Sequence, residues 1–94
     1  MYVISYDISN DRARSKIADE IENYGRRVQY SVFECEISDE QLKKLYSRLA
    51  LLIPDNEEGN IRIYKLCGKC EQDIMTMGTP NNTCLLKEAE LYII

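Results

Sequence analysis

The fold is decided by residues 2–24, which read YVISYDISNDRARSKIADEIENY. Residues 2–8 are mostly β-branched and aromatic and are bounded by turn residues, which is typical of a strand. The cluster Ser9-Asn10-Asp11 follows and is rich in side chains that cap helix N-termini. Apolar residues then recur at helical spacing as far as Gly25, a residue typical of helix C-termini. These apolar residues are Ala13, Ile17, Ile21 and Tyr24. The chain therefore opens with a strand that leads through a tight turn into an amphipathic helix.

A second strand and a second helix follow. Alternation of Val28, Tyr30 and Val32 predicts a single strand over residues 27–37. Ser38-Asp39-Glu40-Gln41 has the form of a capping box, in which the first and last side chains bond each other's backbone N–H groups. This motif predicts a helix that ends before Pro54 and has one apolar face. That face consists of Leu42, Leu45, Leu49 and Leu52.

The remainder of the chain has shorter elements. Residues 55–60 are polar and predict a loop, and residues 61–66 predict another strand. Residues 71–77 predict a short helical turn, residues 78–83 a loop, and residues 90–94 a final strand. The order of elements predicts an α+β fold.

The chain is long enough for one domain, because 94 residues bury only one modest core. We expect a single domain over residues 1–94, with its core in about 1–66 and a tail in 67–94. Both helices would cover the same face of the sheet and leave the other face bare. A small domain with an uncovered apolar face often pairs with a copy of itself, so we expect a homodimer.

The N-terminal sequence and the hydropathy pattern argue against a secreted or membrane protein. The first residues carry no basic segment followed by a long apolar stretch, as a signal peptide would. The longest purely apolar run, residues 49–53, is far shorter than the ~20 residues of a membrane span. We therefore expect a cytoplasmic protein, with no membrane partner and with its four cysteines reduced.

Charge is distributed unevenly along the chain. The formal net charge is −4, which by itself argues against strong binding of nucleic acid. Acidic residues, however, are concentrated in 34–40 and 55–58, while five cations fall within residues 12–27. These cations are Arg12, Arg14, Lys16, Arg26 and Arg27. They predict a nucleic-acid-binding surface, although an ordinary solvated helix face has the same pattern. Tyr6 and Tyr30 are candidates to stack beside nucleic acid, or are core residues of their strands.

The absence of histidine restricts the possible chemistry. It excludes Ser-His-Asp triads, Cys-His dyads and nucleases with a histidine base. Asp7, at the end of the first strand, is the candidate metal ligand, because Mg²⁺ is often held by only one or two carboxylates plus water and phosphate. A two-fold axis beside the strand would bring two copies of Asp7 together. Alternatively, Asp7 caps the turn into the first helix.

The cysteines leave three interpretations open. Cys67-x-x-Cys70 is half of a possible zinc site, with Cys35 and Cys84 as distant candidates for the remaining ligands. The same spacing occurs in thioredoxin-like redox motifs. A second C-x-x-C motif is missing, so the preferred interpretation is that these residues are ordinary reduced thiols.

Two segments resemble a known family. Tyr6-Asp7-Ile8, with Arg12 and Arg14 after it, and especially residues 27–34, RVQYSVFE, resemble the CRISPR-associated protein 2 family. That family is the small subunit of the spacer-acquisition machinery of bacteria and archaea. The resemblance covers about residues 1–66 and a terminal strand.

The resemblance implies a ferredoxin-like βαββαβ fold with an extra C-terminal strand, in a homodimer. It implies a break in residues 27–37 near Ser31, and it implies that the strand at residues 91–94 pairs with the partner's sheet. The metal-binding aspartate falls on Asp7, and Lys16 stands where some members have arginine. Positions linked to cleavage in some members fall on Tyr6, Arg14, Arg27 and Phe33.

Two functions are compatible with these residues. The first is a metal-dependent endonuclease, in which two Asp7 side chains hold Mg²⁺ (or Mn²⁺) across the dimer axis while Arg14 and Arg27 hold an RNA or DNA strand. The second is a non-catalytic scaffold that bridges two copies of the CRISPR-associated integrase and supports a DNA duplex through phosphate contacts. A ferredoxin-like toxin ribonuclease would show the same gross pattern.

Overall fold

The structure is a computed structural model of the chain, and it describes residues 1–55 and 59–78. Its elements alternate as expected for an α+β fold, and they are β1 (Tyr2–Ile8), α1 (Asp11–Glu22), β2 (Arg26–Gln29), β3 (Val32–Cys35), α2 (Asp39–Leu52), β4 (Gly59–Lys65) and α3 (Gly68–Gln72). The strands form one antiparallel sheet in the order β2-β3-β1-β4. The first six elements therefore confirm the ferredoxin-like βαββαβ arrangement.

Strand β1 is the centre of the sheet and fixes its two faces. Tyr2, Ile4, Tyr6 and Ile8 are buried, whereas the residues between them are partly or fully exposed. Because successive side chains of a strand point to opposite faces, one face of β1 packs in the core and the other looks outward. The core face meets the buried sides of α1 and α2, whose members are Ile17, Ala18, Ile21, Leu45 and Leu49.

Both long helices begin at the side chains that the sequence suggests. The side chain of Asn10 caps α1 by accepting the backbone N–H of Ala13 at 2.9 Å. Ser38 caps α2, and its capping box with Gln41 is complete. Helix α1 ends at Glu22 and its C-terminal cap is Asn23, two residues before the glycine we expected as its cap. Gly25 is required for another reason, since a Cβ there would lie 2.8 Å from the Cα of Cys35 on β3.

The prediction of a single strand over residues 27–37 is wrong. The segment forms two antiparallel strands, β2 and β3, which reverse direction at Tyr30 and Ser31. Phe33, on β3, is a completely buried core residue. The break near Ser31 that the family resemblance implies is present.

The C-terminal part differs from the sequence prediction in its boundaries. Strand β4 begins at Gly59, so the last two residues of the predicted 55–60 loop belong to the sheet. The short helix α3 begins at Gly68, earlier than the predicted turn at residues 71–77. The predicted strand at 90–94 and most of the predicted 78–83 loop lie outside the described residues. Within the described ranges, no helix is long and apolar enough to cross a membrane.

Among the described residues, the long helices pack on one face of the sheet and leave the other face without a helix. We call this the helix-free face. The cross-strand register places on it Val3, Ser5 and Asp7 of β1, Val32 and Glu34 of β3, and Asn60, Arg62 and Tyr64 of β4. This face contains apolar residues and charges of both signs, and the candidate site lies at its edge.

Candidate metal and nucleic-acid site

Asp7 lies on the helix-free face, at the rim where β1 ends. Its side chain is exposed, and its register partner on β4 is Asn60. Directly opposed residues of an antiparallel pair point to the same face, so the Asn60 amide stands beside the Asp7 carboxylate. Sequence reasoning missed Asn60, because asparagine is uncommon in strands and the residue was assigned to a loop.

The alternative role for Asp7, as a cap of the first helix, is not supported. Asn10 performs that role, with its side-chain oxygen bonded to the first turn of α1. Asp7 is three residues upstream and inside the strand. An exposed carboxylate with no part in the helix cap is available to bind a ligand.

Arg14 braces the turn that follows Asp7. Its guanidinium donates to the backbone carbonyls of Ile8 at 3.1 Å and Ser9 at 3.5 Å, and it also pairs with the Asp11 carboxylate. The hydrogen bond that Arg14 donates to the Asp11 carboxylate raises the pKa of Arg14. These contacts fix the path of the chain just after β1 and leave only part of the guanidinium accessible.

Tyr6, Phe33 and Arg27 form a stack on the other face of the sheet. The ring centroids of Tyr6 and Phe33 are 6.2 Å apart, and the Arg27 guanidinium carbon lies 5.2 Å from the Phe33 centroid. The Tyr6 hydroxyl donates to the backbone carbonyl of Tyr30 at 3.4 Å. Phe33 is fully buried and Tyr6 nearly so, whereas Tyr30 is 70% exposed at the β2–β3 turn. Of the two tyrosines considered for stacking with nucleic acid, only Tyr30 is therefore accessible.

Two cations lie near Tyr6: Arg27, from the stack, and Arg14, from the turn that follows β1. Burial raises the pKa of Tyr6, and the charges of Arg27 and Arg14 oppose that rise. Arg27 also pairs with Glu22 at 3.6 Å. Its Nε atom is buried and has no hydrogen-bond partner in the described part of the chain. Tyr6, Arg14, Arg27 and Phe33 thus lie together, while Asp7 faces the opposite side of the same strand.

The five predicted cations do not form one surface. Arg12 and Lys16 are exposed on α1, and within residues 1–55 and 59–78 no ion pair involves them. Arg26 and Arg27 are consecutive strand residues and so point to opposite faces. Arg26 pairs across the sheet with Glu34 at 3.7 Å, on the helix-free side.

The helix-free face contains two further polar residues that sequence reasoning did not single out. Arg62 and Tyr64 lie on β4 in register with Ser5 and Val3. A hydrogen bond with Tyr64 raises the pKa of Arg62. The sequence could have indicated this, because alternate residues of β4 face opposite sides of the sheet. Ile61 and Ile63 pack against the core, so Arg62 and Tyr64 face the other side.

The residues around Asp7 fit a hard divalent cation only in part. Carboxylate and amide oxygens, as in Asp7 and Asn60, are the donors that Mg²⁺ and Mn²⁺ accept. Among the described residues, no group of three or more His, Cys, Asp or Glu side chains could enclose a metal ion. Within the described residues, one chain therefore supplies only part of the ligand set of such an ion.

Sequence and fold both resemble known proteins. Residues 1–74 match the family model described as CRISPR associated protein Cas2. The chain is 47% identical over 77 residues to CRISPR-associated endoribonuclease Cas2 1 of Chloroflexus aurantiacus, covering 82% of this chain and 83% of that protein. It is 45% identical over 80 residues to CRISPR-associated endoribonuclease Cas2 3 of Synechocystis sp., covering 85% and 86%.

Two solved structures share the fold. The crystal structure of Streptococcus pyogenes Cas2 at pH 6.5 matches with a TM-score of 0.72 and 27% identity, covering 82% of this chain and 98% of that chain. A chain of the partial Cas6-RT-Cas1--Cas2 complex matches with a TM-score of 0.72 and 32% identity, covering 85% and 93%.

Proposed function

Because this chain belongs to the CRISPR associated protein Cas2 family, we propose that it is a subunit of the CRISPR spacer-acquisition machinery. In this proposal the protein is a homodimer that binds nucleic acid and contacts the integrase. It carries a metal-dependent endonuclease site at Asp7. The observation that carries the site is the position of Asp7, exposed at the rim of the helix-free face and free of any capping role. The names of the two curated relatives, which are endoribonucleases, support cleavage of RNA.

The helix-free face is the surface we assign to the dimer. A two-fold interface uses the same patch on both subunits, so the patch must be complementary to itself. This face meets that requirement, because Arg26 and Arg62 share it with Glu34 and Asp7. Tyr64, which is 48% exposed, adds apolar area that a second copy would cover.

The endonuclease mechanism places two Asp7 carboxylates at the rim of this interface. Together with Asn60 they would hold Mg²⁺ or Mn²⁺, which supplies Lewis-acid stabilisation of charge on the scissile phosphate. The side chains of the protein position the nucleic-acid strand. Arg12 and Lys16 are exposed for phosphate contacts, and Arg14 holds the turn so that Asp7 keeps its place at the rim.

Arg27 contributes a second, oriented contact. Its guanidinium is held between the Phe33 ring and Glu22, and the side chain as a whole is 37% exposed. A planar guanidinium in a fixed orientation suits bidentate recognition of phosphate. The roles of Phe33 and Tyr6 are then to position Arg27, since both rings are buried.

A non-catalytic scaffold is the second candidate, and a specific observation favours it. Among the described residues, Asp7 is the one carboxylate on the helix-free face at the end of β1, and both Arg14 and Arg27 already have carboxylate partners. In this role the dimer bridges integrase subunits and supports a duplex through its exposed cations. Association of integrase with this family is supported by the matching chain of the Cas6-RT-Cas1--Cas2 complex. The toxin ribonuclease has no comparable support.

A cleavage assay with a matched control separates the candidates. Asp7→Asn removes the carboxylate at the rim, and Asp19→Asn removes another exposed carboxylate, on α1. Purified chains would be incubated with labelled single-stranded RNA and duplex DNA, with Mg²⁺ or with a chelator. The endonuclease requires Mg²⁺-dependent cleavage that Asp7→Asn abolishes and Asp19→Asn retains. Equal cleavage by all three proteins would identify a contaminant and refute the catalytic role.

The scaffold predicts a different pattern in a spacer-integration assay with the integrase. Integration would survive Asp7→Asn and fail when Arg12 and Lys16 are both replaced by alanine. Loss of these two phosphate contacts should also lower the magnitude of the slope of log K against log salt by about two. Integration that persists in the double variant would count against a scaffold that uses these cations.

A further inference from the structure

Cys67 and Cys70 form a close thiol pair outside the proposed metal site. Both residues are exposed, and their Sγ atoms are 3.2 Å apart. Cys67 directly precedes α3, and its sulfur accepts the backbone N–H of Cys70 at 3.4 Å. The local backbone therefore holds the two sulfurs together without any contact from the core.

The two sulfurs are chemically unequal. Hydrogen bonds from the Cys70 thiol and the Cys70 backbone N–H lower the pKa of Cys67, whereas the interaction with Cys67 raises the pKa of Cys70. Since the thiolate is the nucleophile in disulfide exchange, Cys67 is the first to attack and Cys70 is the resolving thiol.

Cys35 provides an internal contrast. It is completely buried beside β1, and burial raises its pKa to about 11. A thiol of this kind is protonated and inaccessible near neutral pH, so it takes no part in exchange. Among the cysteines that the structure describes, reactivity is thus confined to the exposed pair.

We propose that Cys67 and Cys70 are a reversible dithiol–disulfide site that exchanges with low-molecular-weight disulfides of the glutathione class. The Cys67 thiolate attacks one sulfur of the small disulfide, forms a mixed disulfide and releases one small thiolate. The Cys70 thiolate then attacks the Cys67 sulfur, closes the intramolecular disulfide and releases the second. Two protein thiols are oxidised, one disulfide is reduced to two small thiols, and the two protons pass to these products.

The position of the pair indicates what oxidation would and would not affect. The N-terminal ammonium donates to the Leu66 carbonyl at 3.1 Å and pairs with Glu71 at 3.8 Å, so the segment around the cysteines is bound to the start of β1. Asp7 is at the other end of the same strand, roughly 20 Å away for seven strand residues. Oxidation would therefore change the local segment and leave the Asp7 rim intact.

A bound thiophilic metal is the competing use of such a pair. Structural zinc sites take four ligands, and in the described ranges no group of three or more His, Cys, Asp or Glu side chains could hold a metal ion. The arrangement of the two sulfurs favours exchange with each other over closure around a metal.

The test uses the full chain, reduced, freed of reductant and then exposed to oxidised glutathione. Peptide mass spectrometry should show loss of both thiols and a Cys67–Cys70 disulfide, with Cys35 unmodified in the folded protein. Cys70→Ser should instead accumulate glutathione on Cys67, whereas Cys67→Ser should react several-fold more slowly at Cys70. Both substitutions are at exposed positions, and circular dichroism would verify that the variants are folded.

Three results would overturn the proposal. The first is a pair that stays reduced under excess oxidised glutathione. The second is a disulfide that joins Cys67 or Cys70 to Cys84 or to another chain in place of its neighbour. The third is stoichiometric zinc in the purified protein that protects both thiols until a chelator removes it. Mn²⁺ binding at Asp7 should be equal in the reduced and oxidised proteins, so failure of this site is distinguishable from failure of the proposed endonuclease.

Discussion

Phe33 provides the sharpest test of how the candidate site is built. It is completely buried, and its ring supports the Arg27 guanidinium. Phe33→Ala should lower the free energy of unfolding by about 3–5 kcal/mol, the usual effect of deleting a buried ring. Because a domain is typically stable by only about 5–15 kcal/mol, this change removes a large share of the total stability. A loss of activity in this variant would therefore mix the effect on stability with the effect on the position of Arg27.

Phe33→Leu separates stability from positioning. Leucine keeps most of the buried volume, so the cost should be below about 1.5 kcal/mol. The variant loses the cation–π contact, which is worth about 0.5–1 kcal/mol at a partly exposed site. We expect a folded protein whose nucleic-acid affinity falls no further than that of Arg27→Ala. The double variant should bind as Arg27→Ala does, because both changes remove the same interaction.

Urea unfolding and fluorescence anisotropy with a labelled oligonucleotide measure the two effects, at one fixed protein concentration because dimer stability depends on it. Leu45→Ala is the matched control, since Leu45 is equally buried but lies on α2. It should lose stability and keep affinity at low temperature. A folded Phe33→Leu variant of normal stability that binds more weakly than Arg27→Ala would refute the positioning role.

Two further predictions concern the fold. Gly25→Ala should cost about 1–3 kcal/mol by overpacking against Cys35, whereas Gly68→Ala, with no atom within 4 Å of the added Cβ, should be nearly neutral in urea unfolding. The Tyr2 hydroxyl holds the pKa of Asp39 below its ordinary 3.8, so this carboxylate stabilises the fold above that pH and loses the effect as the pH falls through its folded-state value. Asp39→Asn should therefore lower the unfolding midpoint at neutral pH, with the difference closing on acidification. A difference that widens in acid would contradict that assignment.

Much of the fold could be predicted because its signals are local. The capping box at Ser38 and the apolar faces of both helices are set by spacing along the chain. The break between β2 and β3 was not predictable in this way. Tyr30 and Ser31 include none of the glycine, proline or asparagine residues that usually mark a turn, and tyrosine favours strands. The reversal there is required by the antiparallel pairing of β2 with β3, which places β3 beside β1.

Some members of the candidate site could be predicted from the sequence, but Asn60 and the arrangement of the site could not. Asp7 could be identified because it ends a strand, and its exposure agrees with the alternation of β1. The division of the cations could not be read from their clustering along the chain. Arg26 and Arg27 are adjacent in sequence but face opposite sides of the sheet, and the turn after β1 engages Arg14. Which face of the sheet each cation occupies depends on how the strands pair, and this pairing joins residues that are far apart in the sequence.

The most direct test of the metal site is the stoichiometry of Mn²⁺ binding to the purified chain, followed by electron paramagnetic resonance. Two facing Asp7 carboxylates predict one bound ion for two chains, lost in Asp7→Asn and kept in Asp19→Asn. One ion for each chain, or binding that Asp7→Asn leaves unchanged, would contradict the shared site.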